Sequence, residues 1–320
     1  MSEKTLPKRA RAVVVGGGVI GCSTAYHLAK LGWEDVVLLE RKQISCGTTW
    51  HAAGLITTLR DTEAQTRMAQ YSLQLYSELE AETGQATGFI NCGSLQMAAS
   101  LEKAEEMRRG CAMARTFGVE NREVTPAEVK ELFPLAYVDD LVAGFYFPDD
   151  GRVNPADVAQ ALAKGARKRG VNIIENCKVT EVLFAGERAV GVQTENGDIT
   201  AEVVILCPGM WGREVGLSAG VDIPLQAAEH YYLISEPIEG LHNYLPILRD
   251  PGRAAYAREE AGKILLGFFE PVAAPWGVDG IPDNFCFDEI QPDWERMEPH
   301  LERGMGRLPI LLDTGIRQLF

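Results

Sequence analysis

Apolar residues in this chain come in two patterns, short unbroken blocks and runs spaced three or four apart. Residues 11–15 (RAVVV) form a β-branched block halted by Gly16-Gly17-Gly18, which reads as a buried strand running into a turn. Residues 23–31 (STAYHLAKL) switch to helical spacing through Ala25, Leu28 and Ala29 and stop at Gly32, a residue suited to a helix C-terminus. Residues 35–40 (DVVLLE) return to the block pattern. The stretch 11–40 therefore predicts one β-α-β unit with a crossover of the expected length.

The spaced pattern dominates next. Met68, Leu73, Leu75 and Leu79 among Gln and Glu predict a long amphipathic helix over 63–83, and 101–117 predicts another. The segment between, 88–97, reads as extended. A third helix over 154–169 opens with Asn154 as N-cap and Pro155 in the first turn. Blocks at 171–175, 179–184, 189–194 and 202–207 follow as strands, punctuated by Gly186 and the turn signal Asn196-Gly197. From 222 onward, strands at 230–235, 254–259 and 263–269 alternate with Pro- and Gly-rich loops, which predicts a mixed or antiparallel sheet. No internal repeat or low-complexity linker separates these regions, so they are predicted to interleave along the chain.

A length of 320 residues suits two regions sharing a large core, and 46% hydrophobic with 24% charged residues is ordinary globular composition. The net charge of -14 weighs against nucleic acid and anionic membrane as partners. Membrane insertion is not expected either, because no apolar stretch approaches spanning length. Seven scattered cysteines without a C-x-x-C pair suggest neither a disulfide framework nor a metal site. Residues 1–11 carry four basic residues but no apolar segment, so the expected location is the cytoplasm.

Gly16-x-Gly18-x-x-Gly21 follows the first strand and opens the first helix, and Glu40 lies 24 residues after Gly16 at the second strand's end. In that context Gly16 allows a tight turn, Gly18 lets the backbone approach a pyrophosphate, and Gly21 lets helix and strand pack closely. Val19 and Ile20 bring helix N–H groups to the anion. Glu40 is placed to accept from a ribose and to repel a 2′-phosphate. The pattern alone does not separate a flavin from a nicotinamide dinucleotide. Arg41, Lys42 and the polar loop through Thr48 and Thr49 favour FAD, as does a second glycine turn, Pro208-Gly209, leading into Trp211. Val179, at the start of a nearby strand, completes the expected cofactor set. Gly216-Leu217-Ser218-Ala219-Gly220 fits the hydrolase pattern G-x-S-x-G but follows a helix rather than a strand, so it is read as chance.

The segments GGGVIG, ERKQISCGTTWHAAGL, DGRVNPADVAQAL and CPGMWGREVG together resemble the dimethylglycine and sarcosine dehydrogenase family of flavoproteins, over nearly the whole chain. The resemblance implies an α/β fold. A Rossmann-like FAD-binding domain of the glutathione-reductase/D-amino-acid-oxidase type (8–84 and 144–217) interleaves with a mixed, largely antiparallel substrate domain (85–143 and 218–310). Residues 311–320 are then expected to begin a return to the FAD domain, as in a C-terminally truncated member that holds flavin poorly. It further implies oxidation of an N-methylated amino acid such as dimethylglycine or sarcosine, with hydride passing to flavin N5. The acceptor, oxygen or an electron-transfer protein, is left open.

In that family the histidine of the motif matched by residues 47–54 is joined covalently to the flavin, which makes His51 the attachment residue. A His and a Tyr near the substrate amine correspond to His230 and Tyr256, with Tyr231 and Tyr232 as competitors. Arg60, Arg249 and Arg258 stand as equal candidates to receive a substrate carboxylate. Two alternatives remain: a related flavin oxidase for another amino acid or glycerol phosphate, and a non-catalytic relative like the regulatory subunit of pyruvate dehydrogenase phosphatase.

Overall fold

The computed structural model describes residues 6–320. Arg9–Val15 is central to a six-stranded sheet, flanked by Val36–Leu39 and then Asn172–Ile174 on one side and by Gly197–Leu206 on the other, all parallel. Arg188–Thr194 and Val179–Ala185 extend the sheet as an antiparallel meander. Ala12 and Val14 pack in one core cluster with Ala25 and Tyr26 of the helix Val19–Lys30 and with Ala159 and Leu162 of the helix Pro155–Lys168. Val13 and Val15 join a second cluster with Val192 and Ile199. Burial on both faces is the physical reason the block at 11–15 is unbroken rather than alternating.

Local chemistry sets the helix ends. Asn154 accepts from the N–H groups of Ala156 (3.0 Å) and Asp157 (3.2 Å). Thr62 accepts from Gln65 N to start Glu63–Thr83, which ends at Gly84 in the left-handed region (φ 66°). Val15 stands level with both Leu39 and Leu206, so three strands finish together and leave a crevice at their carboxyl ends, where ligands of such sheets bind.

The second sheet has eight strands, in the order Ile316–Leu319, Tyr232–Ser235, Lys263–Phe268, Ala255–Glu260, Ile247–Asp250, Ser94–Ala98, Ala143–Phe147, Arg122–Val124. Every neighbouring pair is antiparallel except Ile247–Asp250 with Ser94–Ala98. Its main core includes Met297 and Leu301 from Trp294–Arg307 and Val129 from Pro126–Leu132. Leu101–Thr116 supplies a smaller cluster with Ala98, Phe145 and Phe147. Arg307, 1% exposed, ties the helix Trp294–Arg307 to the sheet through Asp250 (2.7 Å) and to the loop before Ala143–Phe147 through Asp140 (2.6 Å).

Three expectations are corrected. Ala143–Phe147 pairs with Ser94–Ala98, so the stretch 144–217 begins in the second sheet, and the crossing into the first region comes later, near the helix Pro155–Lys168. Residues 311–320 run mainly in the second region, where Ile316–Leu319 pairs with Tyr232–Ser235 as an edge strand, and only Phe320 at its end reaches the first region, packing on Trp50 and His51. The tail of the chain is not all strand and loop, since Trp294–Arg307 is a helix with Asp293 as its N-cap and Pro299 inside it. That proline masked the i, i+4 pair Met297 and Leu301, because proline reads as a helix breaker. Among the described residues no helix is long and apolar enough to cross a membrane.

Candidate active site

Two cavities meet between the sheets. The first, of about 420 Å³, lies at the carboxyl ends of the parallel strands. Gly16, Gly18, Val19 and Ile20 form its floor, Glu40 and Arg41 one wall, Thr48 and Thr49 a second, and Val179, Pro208, Gly209 and Trp211 the remainder. Gly21 and Lys42 do not line it. A Cβ on Gly21 would stand 1.8 Å from the carbonyl oxygen of Gly16, and one on Gly16 (φ 109°) would stand 2.2 Å from that of Cys207. Gly21 therefore lets the helix pack on the loop's own backbone, and Gly16 lets the loop pack on the end of the strand Gly197–Leu206. Lys42 contributes its N–H, which donates to Glu40 Oε1 (2.8 Å).

Glu40 does more than its sequence position suggested. Its other oxygen accepts from Gly17 N at 2.7 Å, bracing the glycine loop against the second strand, and a Cβ on Gly17 would meet the Glu40 side chain at 2.9 Å. Each carboxylate oxygen keeps lone-pair capacity for a ribose hydroxyl. Burial pushes the Glu40 pKa up, against the pull of the Lys42 and Gly17 N–H groups. Thr49 Oγ1 accepts from Val19 N (3.0 Å), capping the first helix from outside it. Arg41 stacks on Trp211, 4.5 Å from the ring centroid, and donates to the carbonyls of Asp283 and Phe285. A loop that a Cβ would fill, a helix N-terminus and a buried carboxylate fit the adenosine and pyrophosphate of a dinucleotide.

The second cavity, of about 410 Å³, lies against the eight-stranded sheet and is lined by His51, His230 and Tyr256. Thr48 lines both cavities, and the 209–211 turn sends Gly209 and Trp211 to the first and Met210 to the second. His51 Nε2 lies 2.9 Å from the Asp288 carbonyl, which can only accept, so this nitrogen carries the proton and Nδ1 the lone pair. Burial holds the His51 pKa below its ordinary value. Trp50, with its ring centroid 4.4 Å away, and Phe320, at 5.3 Å, fix the imidazole.

Tyr256 sits opposite Gly267 in the ladder, and a Cβ there would stand 2.2 Å from the phenol carbon Cζ. Gly267 is thus the space in which the Tyr256 ring lies. Burial, then the Glu270 carboxylate, push the Tyr256 pKa up to about 12, so the hydroxyl stays protonated, and it makes no hydrogen bond among the described residues. Both competing tyrosines line the cavity: Tyr231 has its hydroxyl committed to the Gln291 carbonyl (2.8 Å), and Tyr232 lies beside Phe320.

The three arginines separate cleanly. Arg258 is committed to the Ala53 carbonyl (2.5 Å) and to Glu260, joining the sheet to the 47–54 segment. Arg60 Nη1 is held by Thr57 Oγ1 and the Leu59 carbonyl, both at 2.8 Å. Arg249 has neither hydrogen bond nor ion pair among the described residues, lies opposite Tyr256 in the ladder, and stands 5.8 Å from the ring of Phe269, which lines the second cavity. Burial, then Arg60, work against its charge, and Asp150 alone favours it.

Sequence reasoning missed Glu270. Its carboxylate is 1% exposed and lies 3.1 Å from His230 Nδ1. That contact, more than any other, holds the His230 pKa above its ordinary value, against burial and Arg296. An acidic residue directly after the apolar strand end GFF was the available signal.

A dinucleotide crevice opening into a second, histidine- and tyrosine-lined cavity defines a flavin-type oxidoreductase fold. The family model for FAD-dependent oxidoreductases of the DAO type matches residues 11–318, and the chain belongs to that family. It is 40% identical to human mitochondrial sarcosine dehydrogenase over 98% of its length and 35% of the relative's. With the formaldehyde-forming 4-methylaminobutanoate oxidase of Paenarthrobacter nicotinovorans the identity is 41%, over 98% and 38%. The mouse mitochondrial pyruvate dehydrogenase phosphatase regulatory subunit is 37% identical over 98% and 36%. The chain thus spans little more than a third of the length of these relatives. The solved structure of L-proline dehydrogenase from P. horikoshii superposes with a TM-score of 0.87 at 25% identity, covering 98% of this chain and 81% of that one.

Proposed function

We propose that this chain carries the flavin-binding and amine-oxidising site of an oxidoreductase for N-methylated amino acids. The observation that carries the reading is the junction of the two cavities at Thr48 and the 209–211 turn, which puts His51, His230 and Tyr256 at the far end of a dinucleotide crevice. When bound, the flavin supplies the two-electron acceptor for a hydride from the N-methyl carbon.

The first cavity holds the nucleotide, through the glycine loop, the first helix N-terminus, Glu40 and the second glycine turn. His51, neutral and with Nδ1 unprotonated, is the residue for a covalent link to the cofactor. Arg249, which lies next to the cavity-lining Phe269 rather than in the cavity wall, receives the substrate carboxylate, since it alone of the three candidates has no hydrogen bond or ion pair among the described residues. The amine must lose its extra proton before its α-carbon can release hydride, and His230 Nε2 takes that proton. Tyr256, whose hydroxyl burial keeps protonated, donates to the substrate. Sarcosine, dimethylglycine and 4-methylaminobutanoate share the secondary or tertiary N-methyl amine and the carboxylate that these residues address.

The reading is tested by adding those three amines, with proline and glycerol 3-phosphate as controls, to flavin-loaded protein without oxygen. Bleaching of the flavin by N-methyl amino acids is expected; bleaching by the controls alone would sink the substrate class. The likeness to the phosphatase regulatory subunit supports a second, non-catalytic reading, which loss of all bleaching would favour.

A further inference from the structure

Glu270 follows the strand Lys263–Phe268 by two positions and turns its side chain inward, where it is 1% exposed. Neither carboxylate oxygen has an aligned hydrogen-bond donor among the described residues. His230 Nδ1 is nevertheless 3.1 Å from Oε1, a small ring rotation from a hydrogen bond. His300 on Trp294–Arg307 also acts on the carboxylate, and its own Nδ1 is buried without a partner. A buried carboxylate is costly unless a donor or a cation faces it, and His230 can be both. With Nδ1 turned to Glu270, Nε2 is the ring nitrogen left for the cavity, and it makes no hydrogen bond among the described residues.

We propose that Glu270 is a positioning residue for His230: it holds Nδ1–H, keeps the lone pair on Nε2, and stabilises the imidazolium formed when Nε2 takes the substrate's proton. The role rests on the reading of His230 as the base. The step is a proton transfer in which the ammonium N–H bond breaks, an Nε2–H bond forms, and the positive charge moves from the amine to the ring beside Glu270. No electrons are exchanged in it. A carboxylate behind an imidazole serves this purpose in hydrolase triads, where it fixes the tautomer and offsets the developing charge.

The groups facing the pair are few. Arg296 opposes a charge on His230, but it is already paired with Glu229 (2.6 Å) and Asp293 (3.2 Å). Tyr256 stays neutral. Burial raises the Glu270 pKa, and His230, then the residue's own backbone N–H and then His300 more than reverse this, leaving it below the ordinary carboxylate value. The pair is therefore built to hold a negative carboxylate against a ring that readily charges.

The test follows the His230 imidazole by NMR titration in flavin-loaded protein, with its signal identified by loss in His230→Asn. In the unmodified protein the ring should titrate above the ordinary value. In Glu270→Gln it should titrate about one unit lower, and in Glu270→Asp part of the difference should return. The rising limb of amine-dependent flavin reduction against pH should move with it. A wild-type His230 that titrates at or below the ordinary value overturns the proposal without any variant, as does an unchanged titration in Glu270→Gln. If the titration moves and the reduction limb does not, the pairing stands and the role of His230 as base falls.

Discussion

The two cavities are built by opposite means. The first is assembled from one continuous β-α-β unit and a second glycine turn, and its ligand groups are largely backbone N–H. Its demands fall on residue types that only a close approach requires, glycine at 16, 17 and 21. The second is assembled from side chains drawn from residues 48 to 320, and none of them neighbours its working partner in sequence. His230 meets Glu270 across 40 positions, and Tyr256 needs the empty space of Gly267 on the next strand. A site made of backbone leaves a motif, whereas a site made of side chains on a sheet leaves only alternation. The difference predicts that substitutions in the first cavity act on cofactor retention and stability, and those in the second on turnover.

The sharpest separation should come from His230→Asn. Loss of a general base lowers the rate of flavin reduction by roughly 10²- to 10⁴-fold while flavin content, read by absorbance of the purified protein, stays the same. Colourless protein would break the comparison. In the unmodified protein the sign of the pH dependence follows from the raised His230 pKa: the ring must be neutral to accept a proton, so reduction should rise with pH through a midpoint above the ordinary imidazole value of 6.5. A limb centred below that value would contradict it.

Arg249→Met should come next, raising the substrate KM by roughly 10- to 100-fold, as expected for a lost charge-assisted hydrogen bond of about 1.5–3 kcal/mol. Flavin absorbance again serves as the control, and an unchanged KM would return the carboxylate to Arg60. For the first cavity, Gly16→Ala places a Cβ against the Cys207 carbonyl in a left-handed conformation. It should cost about 1–3 kcal/mol and lower flavin content more than it lowers the reduction rate per bound flavin, checked by thermal melting and absorbance. His51→Ala should leave a colourless pellet on acid precipitation where the unmodified protein gives a yellow one. Smallest of all, Asn154→Ala removes the cap of the helix under the first sheet at a cost of about 1 kcal/mol, visible in the melt and absent from the kinetics.

How far the sequence was legible tracks the range of the interactions. The helices at 63–83, 101–116 and 155–168 were readable because capping residues and apolar spacing lie within one turn or one stripe. Trp294–Arg307 was not, because Pro299 breaks the local signal while packing of Met297 and Leu301 against the sheet retains the helix. The placement of Ala143–Phe147 was missed for a related reason: strand partners are chosen by long-range pairing, which no local pattern encodes. Glu270 was invisible as a functional residue since an acid after a strand end is ordinarily a solvated one.

The sequence by itself determined the β-α-β unit, the glycine loop and Glu40, because each is a local response of backbone sterics to residue type, repeated within 30 residues. Only the tertiary structure decided that Glu40 braces the loop through Gly17, that Arg249 rather than Arg258 is free, and that a buried carboxylate stands behind His230. These are facts about which charges are already satisfied. A side chain's availability depends on every neighbour the fold brings to it, and a linear pattern holds no record of those neighbours.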